Sequence, residues 1–206
     1  GFPVASILVL MHAGTGLLMD LIVRPLRVHE MSGIARLHKR LRPGDVIVGD
    51  RGFCSYAHLS LVLQGKMHAV LRLHQRIIVS FTPGRLCRAQ LPKKQRKGQP
   101  GSRYVRRLGR NDQIVIYFKK HSPKSNWMSQ AQYDAMPDQI EVRELSYRIK
   151  RKGFRTRQVT LVTTLTDPHQ YPQEKLAQLY GERWQIEVDL RHLKITLGMD
   201  VLHCKT

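Results

Sequence analysis

A chain of 206 residues with 42% hydrophobic content can bury one sizeable core, or one core carrying a large insertion. Thirty-five Lys and Arg against fifteen Asp and Glu leave a formal net charge of +20, which repels itself unless a polyanion or solvent screens it. Nucleic acid is the partner this favours, although charge alone does not separate an enzyme from a binding module. No apolar run reaches the length of a membrane span and no signal-peptide pattern is present, so no membrane partner is expected. Cys54, Cys87 and Cys204 form no CxxC pair and read as reduced thiols of a cytoplasmic protein. His203 and Cys204 are adjacent but have no second pair at ligand spacing, which argues against structural zinc. The ends, Gly1-Phe2-Pro3 and Lys205-Thr206, carry no evident opening or closing element, so the chain reads as a piece of a longer one.

In chain order, residues 4–11 and 17–23 are apolar runs joined by Ala13-Gly14-Thr15-Gly16, turn chemistry that predicts an antiparallel hairpin. Met31, Ile34, Leu37 and Leu41 recur every three or four positions and predict a helix over 30–41, ended by Pro43-Gly44. A short buried strand follows at 46–48, with Asp50-Arg51-Gly52 at its carboxyl end, then a helix at 56–63 and a strand at 69–73. Between Asp50 and Asp112 there is no acidic residue, while Lys and Arg occur fourteen times. Strand-like runs at 77–81, 114–119, 140–149 and 158–165 predict a mostly antiparallel module inserted into the first domain. Residues 92–102 predict a flexible loop whose Lys93, Lys94, Arg96 and Lys97 form either a solvated tip or a contact for DNA phosphates.

After Pro172 the pattern predicts a helix to about residue 197, ended by Gly198. At about 100° per residue, Leu179, Ile186, Leu190, Leu193 and Leu197 fall within an arc of roughly 60°, the expected buried face. Tyr180, Arg183, Glu187, Arg191 and Lys194 share an adjoining arc of about 80°, while Glu182 and Asp189 point elsewhere. One carboxylate thus stands in a line of cations. Taken alone, the stripe could be a ladder of i,i+4 ion pairs, each worth only a few tenths of a kcal/mol. Asp50 at a strand end adds a second reading, in which Asp50 and Glu187 converge on a hard divalent cation that prefers oxygen ligands. Flanking Arg and Lys then grip a phosphate backbone without competing as ligands.

The string Tyr180-Gly181-Glu182-Arg183-Trp184-Gln185-Ile186-Glu187, continuing through Arg191 to Lys194, fits Y-x2-R-x3-E-x6-K and resembles the signature of DDE transposases of the insertion sequence 4 family. Gly44-Asp45-Val46-Ile47-Val48-Gly49-Asp50-Arg51-Gly52-Phe53 is similar to that family's second catalytic-aspartate motif. The resemblance implies an α/β fold, an RNase H-like mixed sheet flanked by helices and interrupted by a β-rich insertion. Its parts would be 1–73 (first part of the core), 74–157 (basic insertion) and 158–206 (the strand and helix completing the core). It implies Asp50 and Glu187 as catalytic metal ligands, the second and third acids of a triad whose first Asp should lie upstream of Gly1. Asp20, mid-strand in the hairpin among Leu17, Leu18, Leu21 and Ile22, is not expected to be that acid, and Asp45 reads as turn chemistry. The implied cofactor is a pair of Mg²⁺ or Mn²⁺ ions, one activating water and then the freed 3′ hydroxyl, the other stabilising the leaving oxygen. Implied partners are double-stranded DNA, both inverted-repeat ends and target, and a second copy of the chain on that DNA in a bacterial cytoplasm. Tyr180, Arg183, Arg191, Lys194, Lys93, Lys94, Arg96 and Lys97 would contact the DNA. Trp127 would stack on an extruded base, and Trp184 is expected in the core. The alternatives are a basic nucleic-acid-binding module without chemistry, or a decayed transposase that keeps the fold.

Overall fold

The computed structural model describes residues 5–25, 28, 30–120, 127–149 and 158–196; Leu197, Gly198, His203 and Cys204 lie outside them. The hairpin forms as predicted, from β1 (Ala5–Met11) and β2 (Leu18–Pro25), with Leu8 opposite Ile22. The helix expected over 30–41 divides into a 3-10 turn (Glu30–Gly33) and the short α1 (Ile34–His38). Then come β3 (Val46–Gly49), α2 (Tyr56–Gln64) and β4 (His68–Arg72), close to their predicted places. β5 (Arg103–Gly109), β6 (Asp112–Phe118), α3 (Gln130–Asp134), β7 (Gln139–Arg148), β8 (Gln158–Thr163) and α4 (Gln173–Thr196) complete the described chain.

Six strands form one mixed sheet in the order β3-β4-β8-β7-β6-β5, flanked by helices, which agrees with the RNase H-like expectation. Only β3 and β4 are parallel, because α2 carries the chain back between them; the other neighbours are antiparallel. β8 pairs with β4 on one side and β7 on the other, so the strands at 103–148 extend the sheet that β3 begins. The strand predicted at 77–81 does not form. Ile77 and Ile78 are exposed there, in a stretch that pairs with no strand, and their apolar side chains alone could not create a ladder. β5 was not anticipated because three arginines break its alternation; at the sheet's edge, charge is tolerated and discourages pairing with other chains.

Strand alternation sends successive residues to opposite faces. Ala69 and Leu71 join Leu59 and Val62 of α2, with Val115, Val142 and Val162, on one face. Val70 joins Leu145, Val159 and Leu161 on the other, under Leu176 and Tyr180 of α4. The start of α4 is tied to β7 by polar groups. Arg143, 1% exposed, donates to both carboxylate oxygens of Asp112 and to the carbonyl of Tyr171 at 2.6 Å, and Gln173 donates to the Ser146 carbonyl at 3.0 Å.

Between β1 and β3 runs an apolar cleft. Leu8, Val9 and Leu10 form one wall, Ile47, Val48 and Gly49 the other, and α1 with Phe53 and His58 the floor. β1 pairs only with β2, and β3 only with β4, so the strand edges facing this cleft have no ladder partner among the described residues. In the floor, His38 and His58 stack with Nε2 atoms 3.0 Å apart, and His58 Nδ1 donates to the Phe53 carbonyl at 2.7 Å. His58 Nε2 must then accept, and His38 Nε2 donate.

Two predictions follow from these polar contacts. Arg143→Met leaves Asp112 buried without its partner and should destabilise by about 3–5 kcal/mol in urea unfolding, with much of the loss recovered in Arg143→Met/Asp112→Asn. Burial lowers His38 from 6.5 to about 4 and lowers His58 as well. The unfolded chain then takes up protons that the folded one refuses, so the pair's stability is complete above pH 6.5 and is lost as pH falls toward 4. The melting temperature should fall across that window, with a shallower slope for His38→Gln/His58→Gln; an unchanged slope would exonerate the pair.

Candidate active site

Asp50 leaves the carboxyl end of β3 in extended conformation and leads into a 3-10 turn, Arg51–Phe53. Gly49 lets β3 approach its neighbour closely: a Cβ there would lie 2.9 Å from Leu71 Cδ2. The parallel register sets Gly49 opposite Leu71, so the following residues, Asp50 and Arg72, emerge together, with Arg72 Nη1 3.8 Å from Asp50 Oδ1. From above the sheet, Tyr180 donates to the same Oδ1 at 3.1 Å.

Tyr180 is the hub. It is 6% exposed and packs with Leu176, four residues earlier, against β3, β4 and β8. Three residues later on the same helix face, Arg183 lies 5.1 Å from the centroid of the Tyr180 ring, and its Nη1 pairs with Glu187 one turn further on. Asp50 and Glu187 are therefore joined by a continuous run of contacts through Tyr180 and Arg183. The two carboxylates themselves stay accessible, with 37% and 43% of their side-chain surfaces exposed.

Burial pushes the Tyr180 phenol up to about 12, and the negative Asp50 adds to the shift, so Tyr180 remains a hydrogen-bond donor throughout the neutral range. Burial works against the charge on Arg183, but the hydrogen bond to Glu187 and the negative charges of Glu187 and Asp50 outweigh it and raise the guanidinium's basicity. Burial also raises Tyr147 of β7, which stands in the fields of Arg72 and Arg183. The arrangement supplies two hard oxygen donors and, around them, fixed donors of positive charge and N–H or O–H groups. Among the described residues no group of three His, Cys, Asp or Glu gathers as a metal cage, and Asp50 and Glu187 are related through Tyr180 and Arg183.

Several expectations about individual residues are revised. Tyr180, placed by the helical wheel on the arc adjoining the expected buried face, is itself buried, and among the described side chains Leu176 is the most deeply buried leucine of α4. The reason is that the early turns of α4 pack on the sheet, while later residues such as Ile195, 60% exposed, have left it. The side chains of Leu193 and Lys194 lie outside those described. Trp184 is 44% exposed rather than in the core, Trp127 is half-buried, and Arg191 is exposed. Asp20 accepts from Arg40 at 3.0 Å.

The basic stretch, read from the sequence as a loop, has local structure of its own. It folds into 3-10 turns at Arg88–Gln90 and Lys93–Gln95, closed by the Arg88 amide donating to the Pro100 carbonyl at 2.8 Å. Lys93, Lys94 and Lys97 are exposed, and Arg96 is half-buried, donating to the Leu91 carbonyl at 2.9 Å. No hydrogen bond or ion pair among the described residues joins these four, or Trp127, to Asp50 or Glu187. Arg72 was missed altogether, since only the strand register brings it to Asp50.

The model of the family described as transposase DDE domain matches residues 1–206. The chain belongs to this transposase family. It is also 29% identical over 99 residues to the transposase InsG for insertion sequence element IS4 from Escherichia coli (strain K12), an alignment covering 47% of this chain and 20% of that protein. The chain thus spans about a fifth of the length of the curated relative it matches. In the transposase domain no helix of the described residues is long and apolar enough to cross a membrane.

Tyr180→Phe removes one hydrogen bond to a half-exposed carboxylate and should cost about 1 kcal/mol in urea unfolding. Tyr180→Ala empties the packing site as well and should cost about 3–5 kcal/mol. Equal costs for the two would mean that packing by the ring contributes nothing.

Proposed function

We propose that this transposase domain performs divalent-metal-dependent cleavage of a DNA phosphodiester and transfer of the freed strand in the movement of an insertion sequence. The observation that carries the reading is the run of contacts from Asp50 through Tyr180 and Arg183 to Glu187, which ties together the two carboxylates of separate family motifs. Their chemistry fits Mg²⁺ or Mn²⁺: both are carboxylates, both are solvent-accessible, and the groups beside them are cations or phenols that do not compete as anionic ligands. Asp50 and Glu187 would hold the ion pair, which when bound supplies an activated nucleophile and charge for the leaving oxygen.

A third carboxylate completes the proposed ligand set. Its place is suggested by the cleft between β1 and β3, where two unpaired strand edges face apolar walls beside the end of β3. A strand from outside residues 1–206 would fill it, pair with both edges and carry an Asp to the side of Asp50.

The remaining residues position substrate. Arg183 is held by Glu187 and stacked over Tyr180, so its guanidinium is ready to take a phosphate oxygen without losing rotamer freedom at that moment. Arg72 neutralises part of the charge on Asp50 and offers a second cation to the scissile strand's phosphates. Arg191 and Lys194 extend this line, and Lys93, Lys94, Arg96 and Lys97 hold the inverted-repeat duplex, with Trp127 stacking on a base extruded from it. Two copies on DNA would pair the transposon ends. We place this protein in the bacterial cytoplasm, at the nucleoid.

In the full-length protein, Asp50→Asn and Glu187→Gln should each abolish Mg²⁺-dependent nicking of transposon-end DNA while gel-shift binding persists. Cleavage retained by both variants would overturn the metal-ligand assignment, leaving a basic binding module.

A further inference from the structure

On the opposite side of the sheet from Tyr180, a second charged centre lies sealed from solvent. Glu144 of β7 is 1% exposed, and accepts from Gln113 at 2.8 Å, from Tyr117 at 2.9 Å and from Ser102 at 3.4 Å. Arg85, with 6% of its side chain exposed, lies 4.0 Å from the carboxylate. The guanidinium spends its other donors on backbone: Nε on the Ser80 carbonyl at 2.7 Å and Nη1 on the Ser102 carbonyl at 2.7 Å. Its Nη2 also donates to the Ser102 hydroxyl at 2.9 Å, and Gln113 reaches the Ser80 carbonyl at 2.9 Å. Arg85 therefore grips both ends of the stretch 80–102, and Glu144 holds Arg85 against the sheet.

Between those ends lie Arg88, Lys93, Lys94, Arg96 and Lys97, with no acidic residue to oppose them. None makes an ion pair with a described residue. A loop of like charges repels itself and opens unless something outweighs the repulsion. A buried ion pair is a costly way to stabilise a fold, since removing both charges from water consumes most of what their attraction returns. Its gain is a fixed position, and the position fixed here is that of a stretch with six Lys and Arg and no acidic residue.

We propose that Glu144 is a positioning residue which, through Arg85, holds residues 85–102 as an ordered surface for the phosphate backbone of duplex DNA. The cations are thereby arranged before DNA arrives, so binding does not bear the entropy of ordering them. The partner rests on the transposase reading above; the anchoring does not.

The test is limited trypsin digestion of the full-length protein, mapped by mass spectrometry, beside titration of a short random-sequence duplex. In wild type, cleavage after Arg88, Lys93, Lys94 and Lys97 should be slow. Glu144→Gln keeps the side chain's size but removes the counter-charge of Arg85, and should speed cleavage at these sites about tenfold while weakening duplex binding about three- to tenfold. Should Glu144→Gln melt without cooperativity, Glu144→Gln/Arg85→Gln removes both buried charges and carries the same expectation, with melting temperature and cleavage elsewhere kept near wild type. Wild-type protection of the loop in either folded variant overturns the anchor, and an opened loop with unchanged affinity overturns its role in binding. A wild-type protein that binds no duplex at all would count against the transposase reading, while the digestion still judges the anchor.

Discussion

Like charges placed near one another repel, and a fold that links Asp50 and Glu187 in one run of contacts must fix the elements that carry them. Here the restraint is the docking of α4 through Tyr180, whose ring is buried between helix and sheet and whose hydroxyl ends on Asp50. Arg72 and Arg183 stand beside the two acids, so each negative group has a cation to face. Arg72 reaches Asp50 from the neighbouring strand and Arg183 reaches Glu187 from the same helix face, so the two cations offset charge on elements already placed by the fold.

The docking depends in turn on the sheet. β3 and β4 aim Asp50 and Arg72 in the same direction because they are parallel neighbours, and β8 joins that pair to the strands at 103–148. The far strands are not passive extensions. Arg143 on β7 holds the chain just before α4, so the strands between the two motifs help to place the second of them. One residue along, Glu144 faces the other way and secures the basic loop. Adjacent residues on one strand thus serve the two sides of the molecule, a direct use of the two-residue period of a strand.

Much of this was readable beforehand where a pattern is local. The hairpin, β3, α2, β4, β6, β7, β8 and α4 follow runs and periodicities that need no knowledge of partners. Asp50, Tyr180, Arg183 and Glu187 were singled out by the resemblance of their motifs to a known family. Failures fell where a partner decides: residues 77–81 look like a strand but meet no ladder, and β5 does not look like one but completes an edge. Trp184 looks like core and is 44% exposed.

Composition and spacing alone determined a single basic polyanion-seeking chain with two acidic motifs, since charge and helical period are properties of the residues themselves. Tertiary structure decided what those motifs touch. That Tyr180 turns inward to Asp50, that Arg72 stands next to it, and that Arg85 and Glu144 lock the basic loop all depend on strand register and on which helix covers which face. Those are choices among distant segments, made by burying apolar area and satisfying polar groups together, and no stretch of sequence carries them by itself.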